Sequence, residues 1–242
     1  MFPELPSTPG SRRGWCLSLL FPAAGRGRKV LAGSDGLVGR LTVSVTDNRE
    51  AEKLYGSLFD TEDGDSMRFT EIDLAGAWVI DPNPHEDDRG RFMRAWCARE
   101  FAEHGIKFLP VQANLGYSVR KGTVRGMHFQ EAPALEAKLV RCTRGAIYDV
   151  ALDLRPDSPS YGQWFGAELS AENGRMLYVP EHCAHGFQTL EDNTEIYYMA
   201  SEFYSPNLVR GRRFDDPAFN IQWPLVATMI SEQDLTWPLI GR

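Results

Sequence analysis

The chain has 242 residues, 43% apolar and 24% charged, with 33 acidic against 26 basic side chains and a formal net charge of −7. That length holds one large all-β domain or two small ones, and the apolar fraction suffices for a core. The acidic balance argues against nucleic acid as the main partner but leaves room for a local basic pocket.

The four cysteines, Cys16, Cys97, Cys142 and Cys183, form no CxxC pair. This excludes a structural zinc motif and a disulfide framework, makes cytoplasm the default compartment, and leaves the last three as inert buried thiols. No apolar run reaches the roughly 18 residues of a spanning helix, so no membrane partner is expected. The run from Trp15 to Ala24 faintly resembles a signal peptide, but Pro22 interrupts it and Arg26, Arg28 and Lys29 follow at once.

Residues 1–66 read as a poorly ordered N-terminal extension, rich at its start in Pro, Gly, Ser and Arg. A brief strand over Leu41–Val45, a short helix over Arg49–Phe59 and an acidic linker, TEDGD, are its only patterned pieces. A small accessory module is the other reading, and it has few apolar residues for a core of its own. The folded domain is expected at 67–242. GAWVI is a strand ended by DPNP, and HEDDRG is a turn or loop leading into RFMRAWC. Ala98–His104 is the best helix, closed by Gly105. FLPVQANLGYSV, GTVRGMHFQ, AKLVRC and AIYDVALDL follow as strands, the last two joined by a TRG hairpin turn with Gly145 as the permissive residue. After the loop DLRPDSPSYG come four more strands, QWFGAELS, RMLYVP, HGFQTL and EIYYMASEFY. The tail from Asn207 is loop-rich. Many short, evenly spaced strands with little helix predict a mainly β sandwich or jelly roll.

The chemistry concentrates in VRGMHFQ, Val124–Gln130, and KLVRC just after it. Arg125, His128 and Lys138 bring an anion binder, a titratable base and a point cation into one short stretch. In a site, that set suits proton abstraction beside a carbonyl on a phosphorylated substrate. The plain alternative makes Arg125 and Lys138 solvated strand residues and His128 a satisfied core histidine. Alternation places His128 and Gln130 on one face and Arg125 on the other. Both reach one site only through a bulge, at a strand end or across a subunit boundary, and Gly126 would permit a bulge. Metal ligation is not expected, because the close histidine pair of metal-binding jelly rolls is missing and His182 and His185 have no matching carboxylate. Neither a GxSxG elbow nor a Walker-type loop is present.

The ordered blocks DDRGRF, VQAN, VRGMHFQ, KLVRCTRGAIYDVALDLRPDSPSYGQW, LSAEN, VPEHCAHGF, EIYYMASEFYSP, DDP and SEQDLTWPL resemble the dTDP-4-dehydrorhamnose 3,5-epimerase family of deoxysugar nucleotide enzymes. The resemblance runs from about Asp81 to Leu239. It implies a cupin-type double-stranded β-helix, a homodimer, a nucleotide-sugar substrate, and catalysis with no metal or organic cofactor. By the same resemblance, His128 is the catalytic base, Asp234 its carboxylate partner, Tyr198 the opposite-face proton donor and Lys138 the lysine near the C4 oxygen. Arg89, Gln112, Asn114, Arg125 and His185 match substrate-binding positions. For Tyr198 the residue-level alternative is an ordinary aromatic, for Asp234 a helix or turn cap, and for His185 a turn-fixing side chain.

The chemistry agrees with those roles. A C–H beside a ketone becomes acidic only when the enolate oxygen is stabilised, which a lysine in a dry site can do. An imidazole has a working-range pKa, and a carboxylate on its other nitrogen fixes the tautomer. Inversion needs a second proton donor on the other face. The chain departs from its relatives at Arg91, Phe92, Met93 and Arg94, at Gln233 before Asp234, and at Met199 after Tyr198. The acid–base set is kept while the binding shell changes, implying a somewhat different substrate or inversion at one carbon only. The expected activity is epimerisation at C3, C5 or both of a nucleoside-diphosphate 4-keto-6-deoxy-hexose. A 3,4-ketoisomerase, a non-catalytic sugar-nucleotide binder and a metal-dependent cupin oxygenase are the rivals.

Overall fold

A computed structural model of the protein describes residues 66–240. The strand read at Leu41–Val45, the helix at Arg49–Phe59 and the N-terminal extension lie outside the described residues.

Thirteen strands and two short helices make up the described fold: β1 (Arg68–Glu71), β2 (Trp78–Asp81), β3 (His85–Asp87), β4 (Gly90–Phe92), α1 (Ala98–Glu103), β5 (Gln112–Ser118), β6 (Val124–Gln130), β7 (Lys138–Arg144), β8 (Ala146–Asp153), β9 (Trp164–Ser170), β10 (Met176–Val179), β11 (Cys183–Thr189), β12 (Thr194–Ala200), β13 (Val209–Gly211) and α2 (Glu232–Thr236). They form a six-stranded sheet in the order β1-β2-β10-β7-β12-β5, a five-stranded sheet in the order β13-β6-β11-β8-β9, and the small hairpin β3-β4. Both large sheets are antiparallel. This is the mainly β sandwich that the strand pattern predicts, in the cupin-type form that the family resemblance implies.

Side-chain alternation decides which residues meet between the sheets. On β7, Val140 and Cys142 join the layer containing Ile147, Ala151, Leu169, Leu177 and Phe187, whereas Leu139 faces away. Each Ile, Leu or Val fully buried there contributes roughly 1.5–3 kcal/mol. The outer face of the six-stranded sheet packs Leu139, Met176 and Tyr178 under Phe101 of α1, with Ile106 and Phe108. On the other side, Phe219 and Ile221 of the tail cover Met127, Val150, Leu152 and Ala184. Gly105, at φ +73°, ends α1 in the left-handed region, where a residue without Cβ costs least.

Three local readings change. The TRG turn does not close a hairpin: Gly145, at φ +74°, passes the chain from β7 in one sheet to β8 in the other. Strand pattern alone does not say which sheet a strand joins. HEDDRG is not irregular; it holds the hairpin β3-β4, with Asp87 opposite Gly90. The tail contains one short strand, β13, on the edge of β6, too brief to show a period of its own.

The bulge at Gly126 is present. His128 lies opposite His185, and Arg125 lies opposite Phe187, so three steps along β6 match two along β11. Gly126 sits at φ +115°, and a Cβ there would lie 2.6 Å from Gly186 Cα and 2.7 Å from the His185 carbonyl oxygen. Gly126→Ala therefore meets both backbone strain and a backbone clash. The expected cost is about 3 kcal/mol, to be read by urea unfolding. A variant as stable as the parent would show that the bulge does not need glycine.

Candidate active site

A hollow opens between residues of the two sheets. Its larger part, about 890 Å³, is lined by residues that include Arg125, His128, Lys138, His185, Tyr198 and Asp234. A smaller part of about 160 Å³ shares Asn114, His128, Lys138, Tyr198 and Gln233 with it and adds Gln112, Glu136 and Glu202. The bulge explains why Arg125 and His128 both reach it despite their odd spacing.

His128 comes from β6 in the five-stranded sheet, and Tyr198 from β12 in the six-stranded sheet. They reach the hollow from opposite walls. His128 Nε2 lies 2.5 Å from Asp234 Oδ1. An ionised carboxylate only accepts, so Nε2 carries the proton and Nδ1 is left as the ring's basic nitrogen. Asp234 is held by its own short helix: Ser231 caps α2 and its hydroxyl accepts from the Asp234 N–H at 3.0 Å. The Gly126 N–H, turned by the bulge, donates to Asp234 Oδ2 at 3.3 Å. Burial pushes the Asp234 carboxyl up, but the His128 hydrogen bond and charge, with the Gly126 and Ser231 contacts, outweigh it and hold the group below the usual carboxylate range. Trp237 stands edge-on to the His128 ring, with centroids 6.4 Å apart.

Lys138 opens β7 on the same inward face as Val140 and is buried. Its ammonium lies 2.9 Å from Glu136 and 3.4 Å from the His128 carbonyl oxygen. Tyr198 is half-buried, and burial, helped by the negative charge of Glu136 and by Tyr204, raises its phenol above the ordinary value of 10.0. Gln112 Nε2 donates to Asn114 Oδ1 at 3.1 Å, side by side on β5. Arg125 is fixed by Nε donating to Ser118 Oγ at 3.2 Å and Nη2 donating to the Tyr117 carbonyl at 3.1 Å. His185 does not merely fix a turn: on β11 its Nε2 lies 2.7 Å from Asp149 Oδ1, both side chains buried. Burial raises the Asp149 carboxyl, against the opposing pull of His185 and Lys138.

Arg89 is not at this hollow within one chain. It stands exposed on the β3-β4 hairpin, paired with Asp87. Among the described residues no group of three His, Cys, Asp or Glu side chains could hold a metal ion. Cys142 and Cys183 are buried with their thiols pushed up to about 11 and about 12, chiefly by burial, whereas Cys97 is only half-buried, in the cap position before α1.

The family model described as dTDP-4-dehydrorhamnose 3,5-epimerase matches residues 71–241. The chain belongs to this family. It is 45% identical to the dTDP-4-dehydrorhamnose 3,5-epimerase of Sinorhizobium fredii over 72% of this chain and 90% of that one. It is 39% identical to a dTDP-4-dehydrorhamnose 3-epimerase of Streptomyces niveus over 69% of this chain and 81% of that one. The crystal structure of the Bacillus anthracis dTDP-4-dehydrorhamnose 3,5-epimerase with TDP and PPi bound has a TM-score of 0.70 and 39% identity, covering 72% of this chain and 100% of that one. The protein is thus an isomerase, an epimerase of deoxysugar nucleotide biosynthesis.

The structure sorts the departures from the family pattern. Gln233 lines the hollow. Met199 does not; alternation turns it outward against the α1 cluster, so the change there leaves the cavity wall untouched. Arg94 is taken up by Glu100 at 2.7 Å, and Arg91 grips the carbonyls of Ala171 and Glu172. Three carboxylates of this region were not anticipated, Asp149, Glu136 and Glu202. Asp149 was findable, because an aspartate inside the apolar run AIYDVALDL needs a buried partner.

The folded carboxyl of Asp234 lies below its unfolded value, so its stabilising contribution is complete above about pH 5 and lost as pH falls through the folded value. The stability gap between the parent and Asp234→Asn is expected to be widest at neutral pH and to narrow below pH 4. Urea unfolding at pH 7 and pH 3.5 checks this, and a pH-independent gap would contradict it.

Proposed function

We propose that the enzyme inverts C3, C5 or both of a dTDP-linked 4-keto-6-deoxy-hexose, with His128 as base, Lys138 as enolate stabiliser and Tyr198 as acid. The observation that carries the reading is the approach of the imidazole and the phenol from opposite sheets into one hollow, with the Lys138 ammonium also in its lining. His128 Nδ1 takes the proton as the C–H bond breaks. The electron pair becomes the enolate double bond, and the carbonyl pair moves to oxygen, where Lys138 meets the charge. Tyr198 gives its proton to the carbon from the other face and is left as phenolate. The phenolate then recovers a proton from solvent while His128 releases its own. The proton to be delivered is on Tyr198 at neutral pH at the ordinary phenol value already, and the upward shift holds it more firmly. Gln112, Asn114, Arg125 and His185 would bind substrate around this pair, with Arg125 a clamp for the diphosphate.

The extent of inversion stays within this proposal, since relatives include both a 3,5-epimerase and a 3-epimerase. Product stereochemistry on dTDP 4-keto sugars decides between C3 alone and both carbons. In heavy water, His128→Ala is expected to lose hydrogen exchange beside the ketone by at least about 10²-fold. Tyr198→Phe should keep exchange at the carbon that His128 serves while losing inversion by a similar factor. Full inversion by Tyr198→Phe would remove that side chain from the mechanism.

We further propose a cytoplasmic homodimer. The free cysteines suit a reducing compartment. Strand β5, at the edge of its sheet among the described residues, leaves Leu115 and Tyr117 exposed beside Val111 and Val119, an apolar strip. A second copy covering that edge would offer Arg89, on its exposed hairpin, a site to serve outside its own chain. Leu115→Lys combined with Tyr117→Lys should shift sedimentation from dimer to monomer, and a parent that sediments as a monomer would end the dimer reading.

A further inference from the structure

Glu136 has no place in the acid–base scheme above, yet it faces two of its members. It sits in the turn before β7, lines the smaller part of the hollow, and keeps its carboxylate 2.9 Å from the Lys138 ammonium, with side chains only 11% and 9% exposed. It is also the foremost negative charge acting on Tyr198. A charge pair this dry is not the weakly coupled surface kind, so its geometry constrains both partners.

We propose that Glu136 is a positioning residue that sets how often the enolate is inverted and how often it is returned to the face it came from. The inference rests on the assignments of His128, Lys138 and Tyr198 made above. Its argument is a charge ledger. In the resting site the Glu136 carboxylate and the Lys138 ammonium offset each other, and the pairing holds the ammonium in the lining near the His128 carbonyl. When the substrate proton moves to His128, the new oxyanion competes with Glu136 for the same ammonium. Glu136 therefore aims the cation and also tempers it.

The enolate then has two fates. His128 can return a proton to the original face, which appears as solvent exchange without inversion. Alternatively, Tyr198 can deliver one to the opposite face and become a phenolate. That phenolate would form beside the Glu136 carboxylate, so the second fate is the one Glu136 opposes. The charged and titratable groups around the phenol are Glu136 and Lys138 from the β7 end, His128 from β6, Glu202 and Tyr204 beyond β12, and His185 with Asp149 behind. Among these, Glu136 is the carboxylate whose charge raises the phenol, and both side chains line the smaller part of the hollow.

The test measures deuterium exchange and inversion on the same 4-keto nucleotide sugar for the parent, Glu136→Gln and Glu136→Asp. Glutamine keeps the shape and removes the charge. Whichever way the exchange rate itself moves, the ratio of inverted to exchanged product is expected to rise by about threefold or more, because the phenolate loses a negative neighbour. Aspartate keeps the charge and should leave that ratio near the parent's even where the rate falls. A ratio unchanged in Glu136→Gln, or moved equally by both substitutions, overturns the proposal. A parent that neither exchanges nor inverts instead overturns the underlying acid–base assignment, so the two failures are told apart.

Discussion

The site hangs on a contact between two backbones. Gly126 on β6 and Gly186 on β11 approach so closely that neither has room for a Cβ. The extra residue that this approach accommodates shifts the β6 register by one position between Arg125 and His128. A regular strand would send these side chains to opposite faces, one between the sheets and one outward. The bulge sends both inward, and it turns the Gly126 N–H onto Asp234. One local irregularity therefore brings the anion binder and the base to the same hollow and helps to orient the carboxylate that sets the base's tautomer.

Around that contact the sandwich supplies contrast. Along the inward faces, Val140, Ile147, Ala151, Leu169 and Ile196 form a dry layer. Polar side chains interrupt it at Lys138, Asp149, His185 and Tyr198. Charges placed next to that layer are weakly hydrated, and each is answered by a partner: Lys138 by Glu136, His185 by Asp149, His128 by Asp234. The low-dielectric setting makes an unpaired charge costly and a paired one well aimed. The two histidines lie on neighbouring strands, His128 directly opposite His185, so a rigid ladder fixes the spacing of the two rings.

The sequence made the strands legible because each inward face is apolar and each turn carries its own chemistry. The helix at Ala98–Glu103 was legible for the same reason, closed by Gly105. The acid–base residues came from the ordered blocks, since no single one of them is distinctive: a lone tyrosine beside Tyr197 looks like any aromatic. Topology was less legible. The β7–β8 turn reads as a hairpin because adjacent strands commonly pair, yet in a jelly roll consecutive strands often change sheets. Met199 illustrates the opposite error, where adjacency to Tyr198 made it look like part of the binding shell although a strand turns neighbours to opposite faces. Glu136 was passed over because a glutamate in a loop before a strand reads as solvated, and only three-dimensional packing puts it against a buried lysine.

Arg89 marks where a single chain stops explaining the site. Its guanidinium is satisfied by Asp87 on its own exposed hairpin. Among the described residues, nothing packs over the exposed Leu115 and Tyr117 of β5 either. The proposed homodimer would resolve both features together, the exposed hairpin of one subunit meeting the β5 edge of the other across a twofold axis. In that arrangement each subunit's hollow would be finished by the other's hairpin, and the changed residues Arg91 and Phe92 would lie on the piece that crosses over. Differences in substrate between relatives could then accumulate on the hairpin while the acid–base set, held by the bulge and the ladder, stays as it is.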